Sequence, residues 1–167
     1  ITSVTADSRQ VQPGALFAAL PGTSQNGEDF IPGALERGAA AVLCARAPDF
    51  PGPWLVVENP RSAYAKVCAN WFGNPAETMC LAAVTGTNGK TSTVFMLYHL
   101  LAANGFRVGM IGTVACLSVV RNYRDPCRKG GRATMTTPDP DILYAVLHEM
   151  KKDGIEYVVM EASSHAL

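Results

Sequence analysis

With 167 residues, 48% of them apolar and 17% charged, the chain has enough apolar material for a packed core and too little charge to stay disordered. Fourteen basic and fourteen acidic side chains cancel to a net charge of zero, which argues against a dedicated nucleic-acid binder, since such domains are usually basic. No apolar run approaches the ~20 residues that span a bilayer and no signal peptide is visible, so no membrane association is expected.

The five cysteines include no C-x-x-C pair. Cys44, Cys68, Cys80 and Cys116 lie in apolar segments and are expected to be small buried hydrophobes, while Cys127 lies in a polar stretch. Neither disulfides nor a zinc site is expected, and the composition suits a reducing cytoplasm.

In chain order, residues 16–20 are a short strand candidate ended by Pro21-Gly22. Residues 31–37 suit a helix closed by Gly38, and residues 40–44 and 54–58 read as further strands. The helix after Pro60 carries Tyr64, Val67, Cys68 and Trp71 at i, i+3, i+4 and i+7, one apolar face. Gly73-Asn74-Pro75 breaks it and reads as a linker, giving a small α/β domain over 1–74 and a second domain over 75–167.

The second domain opens on a short buried strand, residues 81–84, that runs directly into Thr85-Gly86-Thr87-Asn88-Gly89-Lys90-Thr91-Ser92. Gly86 and Gly89 allow the backbone to bend and bring amide groups close to an anion. A helix starting near Lys90 adds its unpaired N–H groups and positive dipole end. Lys90 can reach the β- and γ-phosphates, and the Thr91 hydroxyl can ligate magnesium. Val84 stands where the longer phosphate-loop pattern has its first glycine, so this is the shorter G-x-x-G-K-T loop. A bare strand–turn–helix connection would need neither the lysine nor the hydroxyls after it.

The following helix places Val94, Leu97, Tyr98 and Leu101 on one face and ends at Asn104-Gly105, and residues 107–113 read as the next strand. A βαβ unit around a phosphate loop predicts an α/β fold with a mostly parallel sheet and a ligand at the carboxyl ends of its strands. Downstream, Thr136-Thr137-Pro138-Asp139-Pro140-Asp141 precedes a helix whose apolar face is Leu143, Val146, Leu147 and Met150. Asp139 is the expected N-cap with Pro140 at the first helical position, and the threonine pair is a weak signal for a substrate oxyanion. Residues 155–160 form a last strand that leads into Glu161-Ala162-Ser163-Ser164-His165. A carboxylate at the end of such a strand is placed to hold magnesium directly or through water. On the residues alone, His165 is open between metal ligand, phosphate contact and ordinary loop histidine.

Thr85 to Ser92, the Thr136-Thr137-Pro138-Asp139-Pro140 tract and the Met160-Glu161-Ala162-Ser163-Ser164-His165-Ala166-Leu167 tract, in this order and spacing, resemble the Mur ligases of peptidoglycan synthesis. The threonine and serine tracts most resemble the branch that extends UDP-N-acetylmuramoyl-L-alanyl-D-glutamate. The phosphate loop alone would also suit other Mur ligases or folylpolyglutamate synthetase. Asp7-Ser8-Arg9 and the 14–22 tract resemble the uridine-nucleotide domain of that branch, with Thr23 and Asn26 departing from residues common there.

The resemblance implies that Gly86, Thr87, Asn88, Gly89, Lys90, Thr91 and Ser92 bind ATP, and that Thr91, Glu161 and His165 serve the metal ions. It implies that Ser8 lies in the uridine diphosphate pocket and that Thr136, Thr137 and Ser163 contact the muramoyl-peptide end. Lys90, Glu161 and His165 are the catalytic candidates. The implied reaction is ATP-dependent, through an acyl phosphate, with diaminopimelate or lysine as the incoming amino acid. The expected fold is thus an N-terminal α/β uridine-nucleotide domain followed by a truncated ATPase domain, from an enzyme that is a monomer at full length. We expect this chain to be a fragment without ligase activity of its own, with uncovered sheet edge and helix faces that favour self-association.

Two other classes compete: a P-loop kinase or GTPase, which lacks a clear Asp-x-x-Gly switch here, and a non-catalytic nucleotide-binding module. The basic cluster Arg121, Arg124, Arg128, Lys129 and Arg132 reads first as a solvated loop, and alternatively as a source of one arginine for substrate phosphate or carboxylate.

Overall fold

The structure, a computed structural model, describes residues 1–22, 26–123 and 137–163, together with the backbone of 128–129 and 132–133. The chain divides into two units, Ile1–Trp71 and Phe72–Leu167.

In the first unit, β1 (Ser3–Thr5), β2 (Ala15–Ala18), β3 (Ala41–Cys44) and β4 (Trp54–Val56) form one parallel sheet in sequence order. All four residues of β2 are buried, which requires cover on both faces. One face packs Ala15, Phe17, Val42 and Cys44 against Ile31 and Ala34 of α1 (Ile31–Glu36). α2 (Pro60–Trp71) contacts β1 and β3 and buries Tyr64 and Cys68 completely. Trp71, expected on that apolar face, is instead 43% exposed at the final residue of the helix. Burial pushes the Cys44 thiol pKa up, as suits a cysteine used as a small hydrophobe.

In the second unit, β5 (Cys80–Val84), α3 (Lys90–Ala103), β6 (Val108–Ile111) and β7 (Cys116–Ser118) lead through two-residue strands β8 (Arg128–Lys129) and β9 (Arg132–Ala133), paired with each other, to α4 (Pro140–Lys152) and β10 (Tyr157–Glu161). The sheet order is β5-β10-β6-β7, parallel except for β7. Passing from β5 to β6 moves one way across the sheet and returning to β10 moves the other. Right-handed crossovers therefore put α3 and α4 on opposite faces. Side-chain alternation agrees. Val108, Met110 and Val159 cluster with Val94 of α3, whereas Ile111, Val158 and Met160 cluster with Val146, Leu147 and Met150 of α4. Leu97, Tyr98 and Leu101 pack against the first cluster and Leu143 against the second, as their helical spacing predicts. α4 passes so close to β6 that a Cβ on Gly109 would meet Met150 Sδ at 2.9 Å.

The α/β class and the mostly parallel sheets are as expected, with two corrections in β5. It is not a buried strand: Cys80, Ala82 and Ala83 are exposed, and Leu81 and Val84 are only half-buried. Cys80 is therefore not a buried hydrophobe, unlike Cys44, Cys68 and Cys116. The reason is position, because among the described residues β5 pairs only with β10 and lies at the sheet edge. Among the described residues no helix is long and apolar enough to cross a membrane.

Candidate functional site

The strand order decides which loops meet. β10 sits between β5 and β6, in register with both, with Glu161 opposite Val84 and Met160 opposite Ile111. The carboxyl end of β10 is thus flanked by the loop after β5 and the turn after β6, at the place where the strand order reverses.

The loop after β5 turns on two glycines in the positive-φ region, Gly86 at 142° and Gly89 at 79°. Gly89 stands at the N-cap of α3 with no side chain capping the helix, and Thr93 N–H donates to Gly89 O at 2.9 Å to open the ladder. Among the described residues no side chain accepts from the first-turn amides, the state that suits an anion. Thr87, Asn88, Gly89, Lys90, Thr91 and Ser92 line an open pocket of about 300 Å³. The Lys90 ammonium folds back on the loop, donating to Gly86 O at 2.6 Å and Thr87 O at 3.4 Å.

Glu161 ends β10 with 1% exposure. Its Oε2 accepts the Thr91 hydroxyl at 3.0 Å and the Thr113 hydroxyl at 3.2 Å, and its Oε1 accepts the Thr113 backbone N–H at 2.9 Å. Among the described residues no lysine or arginine pairs with this carboxylate. A buried carboxylate costs much free energy unless it is paired or fully hydrogen-bonded. A carboxylate and two hydroxyls make an all-oxygen donor set that fits magnesium, a hard cation. Among the described residues no group of three His, Cys, Asp or Glu side chains converges on a metal position, so this donor set rests on one carboxylate and two hydroxyls.

Behind the carboxylate, the exit of β10 is fixed by its backbone. Ala162 N–H donates to Val84 O at 2.9 Å, and Ser163 N–H donates to the Thr137 hydroxyl oxygen at 2.9 Å. The Thr137 hydroxyl donates to Glu161 O at 3.3 Å and lies 3.5 Å from Ser163 Oγ. Thr137 and Ser163 are therefore brought together with Glu161 and Thr91. Asp139 and Pro140 hold the N-cap and first helical positions of α4, but the Asp139 side chain makes no capping bond. Ser8 lies half-buried in the first unit, in a 3-10 turn beyond the carboxyl end of β1 that the Asp7 side chain caps through Arg9 N–H. Thr136, His165, Thr23 and Arg124 lie outside the described residues, as do the side chains of Arg128, Lys129 and Arg132.

Arg121 is held at the carboxyl end of α4. It pairs with Asp153 at 2.6 Å and Glu149 at 3.1 Å, and its guanidinium stacks on the Tyr123 ring at 4.8 Å. The residue that the sequence did not reveal is Thr113. The sequence places it at the end of a strand, whereas β6 stops at Ile111 and residues 112–115 turn back into β7, with Gly112 N–H donating to Ala115 O at 3.0 Å. The available signal was a hydroxyl residue at the carboxyl end of a parallel strand.

Comparisons with known proteins agree with this architecture. Residues 84–167 match the Mur ligase middle domain, and residues 1–80 match the catalytic domain of the Mur ligase family. The chain is 39% identical to the UDP-N-acetylmuramoyl-L-alanyl-D-glutamate–2,6-diaminopimelate ligase of Bacteroides thetaiotaomicron, over all of this chain and 34% of that protein. It is 41% identical to the ligase of the same description from Chlorobaculum tepidum, over all of this chain and 32% of that one. A solved UDP-N-acetylmuramoyl-L-alanyl-D-glutamate–2,6-diaminopimelate ligase superposes with a TM-score of 0.77 over 98% of this chain and 32% of its own, at 26% identity. The MurF ligase of Thermotoga maritima in complex with ADP gives 0.60 over 97% and 32%, also at 26% identity. The chain spans about a third of the length of the curated relatives it matches. With both parts of the chain matched in sequence and the fold matched in structure, the chain belongs to the Mur ligase family.

Proposed function

We propose that this chain supplies the uridine-nucleotide-substrate and ATP-binding parts of a ligase that adds the third amino acid to UDP-N-acetylmuramoyl-L-alanyl-D-glutamate. The observation that carries the reading is the junction of phosphate loop and buried carboxylate, Thr91 on Glu161 at 3.0 Å. Gly86 to Ser92 hold the phosphates of ATP, with Lys90 turning from the Gly86 carbonyl to the β- and γ-phosphates. Thr91 and Glu161 hold magnesium, which when bound neutralises charge on the phosphoryl oxygens. His165 completes the metal set on the resemblance to the family.

In the proposed reaction a side-chain carboxylate oxygen of the substrate D-glutamate attacks the γ-phosphorus and ADP leaves. The amine of the incoming amino acid then attacks the acyl carbon, losing a proton as phosphate departs. Lys90 and the α3 amides stabilise charge on the transferring group. On the resemblance to the family, Thr136, Thr137 and Ser163 would contact the muramoyl-peptide end of the substrate, and Ser8 the uridine diphosphate. Diaminopimelate is favoured over lysine because the curated relatives above are diaminopimelate ligases. Both nucleotide substrates suit the cytoplasm. Complete turnover belongs to a chain of the relatives' length.

Calorimetric titration of this chain with UDP-N-acetylmuramoyl-L-alanyl-D-glutamate, against UDP-N-acetylmuramoyl-L-alanine, tests the assignment. Preference for the dipeptide form is expected. Equal binding, or binding of the monopeptide form alone, would contradict the substrate reading.

A further inference from the structure

We propose that Thr113 is a positioning residue of the magnesium–nucleotide site, holding the Glu161 carboxylate in one rotational setting. The inference rests on the nucleotide reading above and extends it to a residue outside the phosphate loop.

The terminal torsion of a glutamate is broad and roughly two-fold, so a carboxylate held at one oxygen still rotates. Thr113 grips both oxygens, its backbone N–H on Oε1 at 2.9 Å and its hydroxyl on Oε2 at 3.2 Å. Rotation would break both bonds. Gly112 closes the remaining direction, since a Cβ there would fall well inside contact distance of Oε1. Oε1 is thereby anchored against the β6–β7 turn, and Oε2 is presented to the Thr91 hydroxyl at 3.0 Å. The anchored oxygen and the presented oxygen have different tasks: one fixes the group and the other faces the phosphate loop.

The clamp is separable from the fold. The backbone of β10 is held without Thr113, by pairing with β5 and β6 and by the Ala162–Val84 bond. Thr113 itself is only half-buried, in the turn after β6. Removing its hydroxyl should disturb the carboxylate and leave the sheet in place. Partners that orient a metal ligand are worth roughly 10- to 100-fold in metal affinity. Because the Thr113 N–H remains in any variant, loss of the hydroxyl alone belongs at the lower end, about 10-fold.

The test is manganese(II) binding to the ADP-loaded 167-residue chain, followed by electron paramagnetic resonance, with ADP affinity in EDTA measured in parallel. Thr113→Val should weaken manganese binding about 10-fold while ADP affinity in EDTA and the far-ultraviolet circular dichroism stay unchanged. Thr113→Ser should restore wild-type manganese binding. Gly112→Ala, which displaces Oε1 by a separate route, should weaken it at least as much as Thr113→Val and keeps the inference testable should that variant not fold. Unchanged manganese binding in Thr113→Val or Gly112→Ala would overturn the inference alone, as would a parallel loss of metal-free ADP affinity. A folded wild-type chain that takes up neither ADP nor manganese would overturn the nucleotide reading beneath it.

Discussion

The first sheet is parallel throughout and the second parallel but for β7, and the two differ in the order in which their strands are laid down. In the first, β1 to β4 stand in sequence order, so every crossover steps the same way and the right-handed connections share one face. In the second, β6 is set beyond a gap that β10 later fills. That insertion puts Glu161 between the loop after β5 and the turn after β6. Two sheets of similar size thus differ in what they can gather at their carboxyl ends. The sequential sheet offers individual loops, such as the turn bearing Ser8, whereas the interleaved sheet sets a buried carboxylate between the phosphate loop and the turn after β6.

The two sheets should differ most in stability. Phe17, 1% exposed in the middle of the first sheet, should cost about 4 kcal/mol when changed to Ala, read from denaturation by tryptophan fluorescence because Trp54 and Trp71 both lie in that unit. Ala82→Ser on the open face of β5 should cost under about 0.5 kcal/mol by circular dichroism. Equal costs would mean that β5 is as buried as its apolar sequence suggests.

Binding separates the units next. Lys90→Ala should weaken ATP by about 2 kcal/mol, roughly 30-fold in calorimetry, and leave the uridine-nucleotide substrate unaffected. Ser8→Ala should do the reverse on a smaller scale, about 1 kcal/mol or roughly 5-fold on the uridine nucleotide. A variant that moves both ligands equally would dissolve the division of labour.

The smallest effect concerns the far end of α4. The Arg121 guanidinium, followed by the Tyr123 hydroxyl, lowers the Asp153 carboxyl below its usual value. A depressed carboxylate stabilises the fold above its unfolded value, and that contribution fades as pH falls through the lower folded value. Wild type should exceed Arg121→Ala slightly in thermal stability at neutral pH, and the gap should close in acid. A gap that widens in acid would refute the pairing.

Much of this was legible in the residues. Gly86, Gly89 and Lys90 announce the phosphate loop because each answers a backbone or charge requirement that few other contexts impose. The apolar spacing along α3 and α4 named the faces that pack. What was not legible depends on partners distant in sequence. Nothing in residues 80–84 says that β5 lies at a sheet edge, which is why the apolar run around Cys80 reads as buried, and nothing in residues 157–161 says that β10 inserts between earlier strands. β1 and β7, three residues each, are too short for a period-two pattern to register. Thr113 was hidden for the same reason, since its meaning comes from Glu161, 48 residues on.

The most direct test of the interleaved site is calorimetric titration of ATP with magnesium and with EDTA, on wild type and on Glu161→Gln. Magnesium should strengthen ATP binding in wild type, Glu161→Gln should lose this gain, and metal-free binding should be the same in both. An equal magnesium gain in the two proteins would contradict this, for the buried carboxylate between β5 and β6 would then have no part in holding the metal.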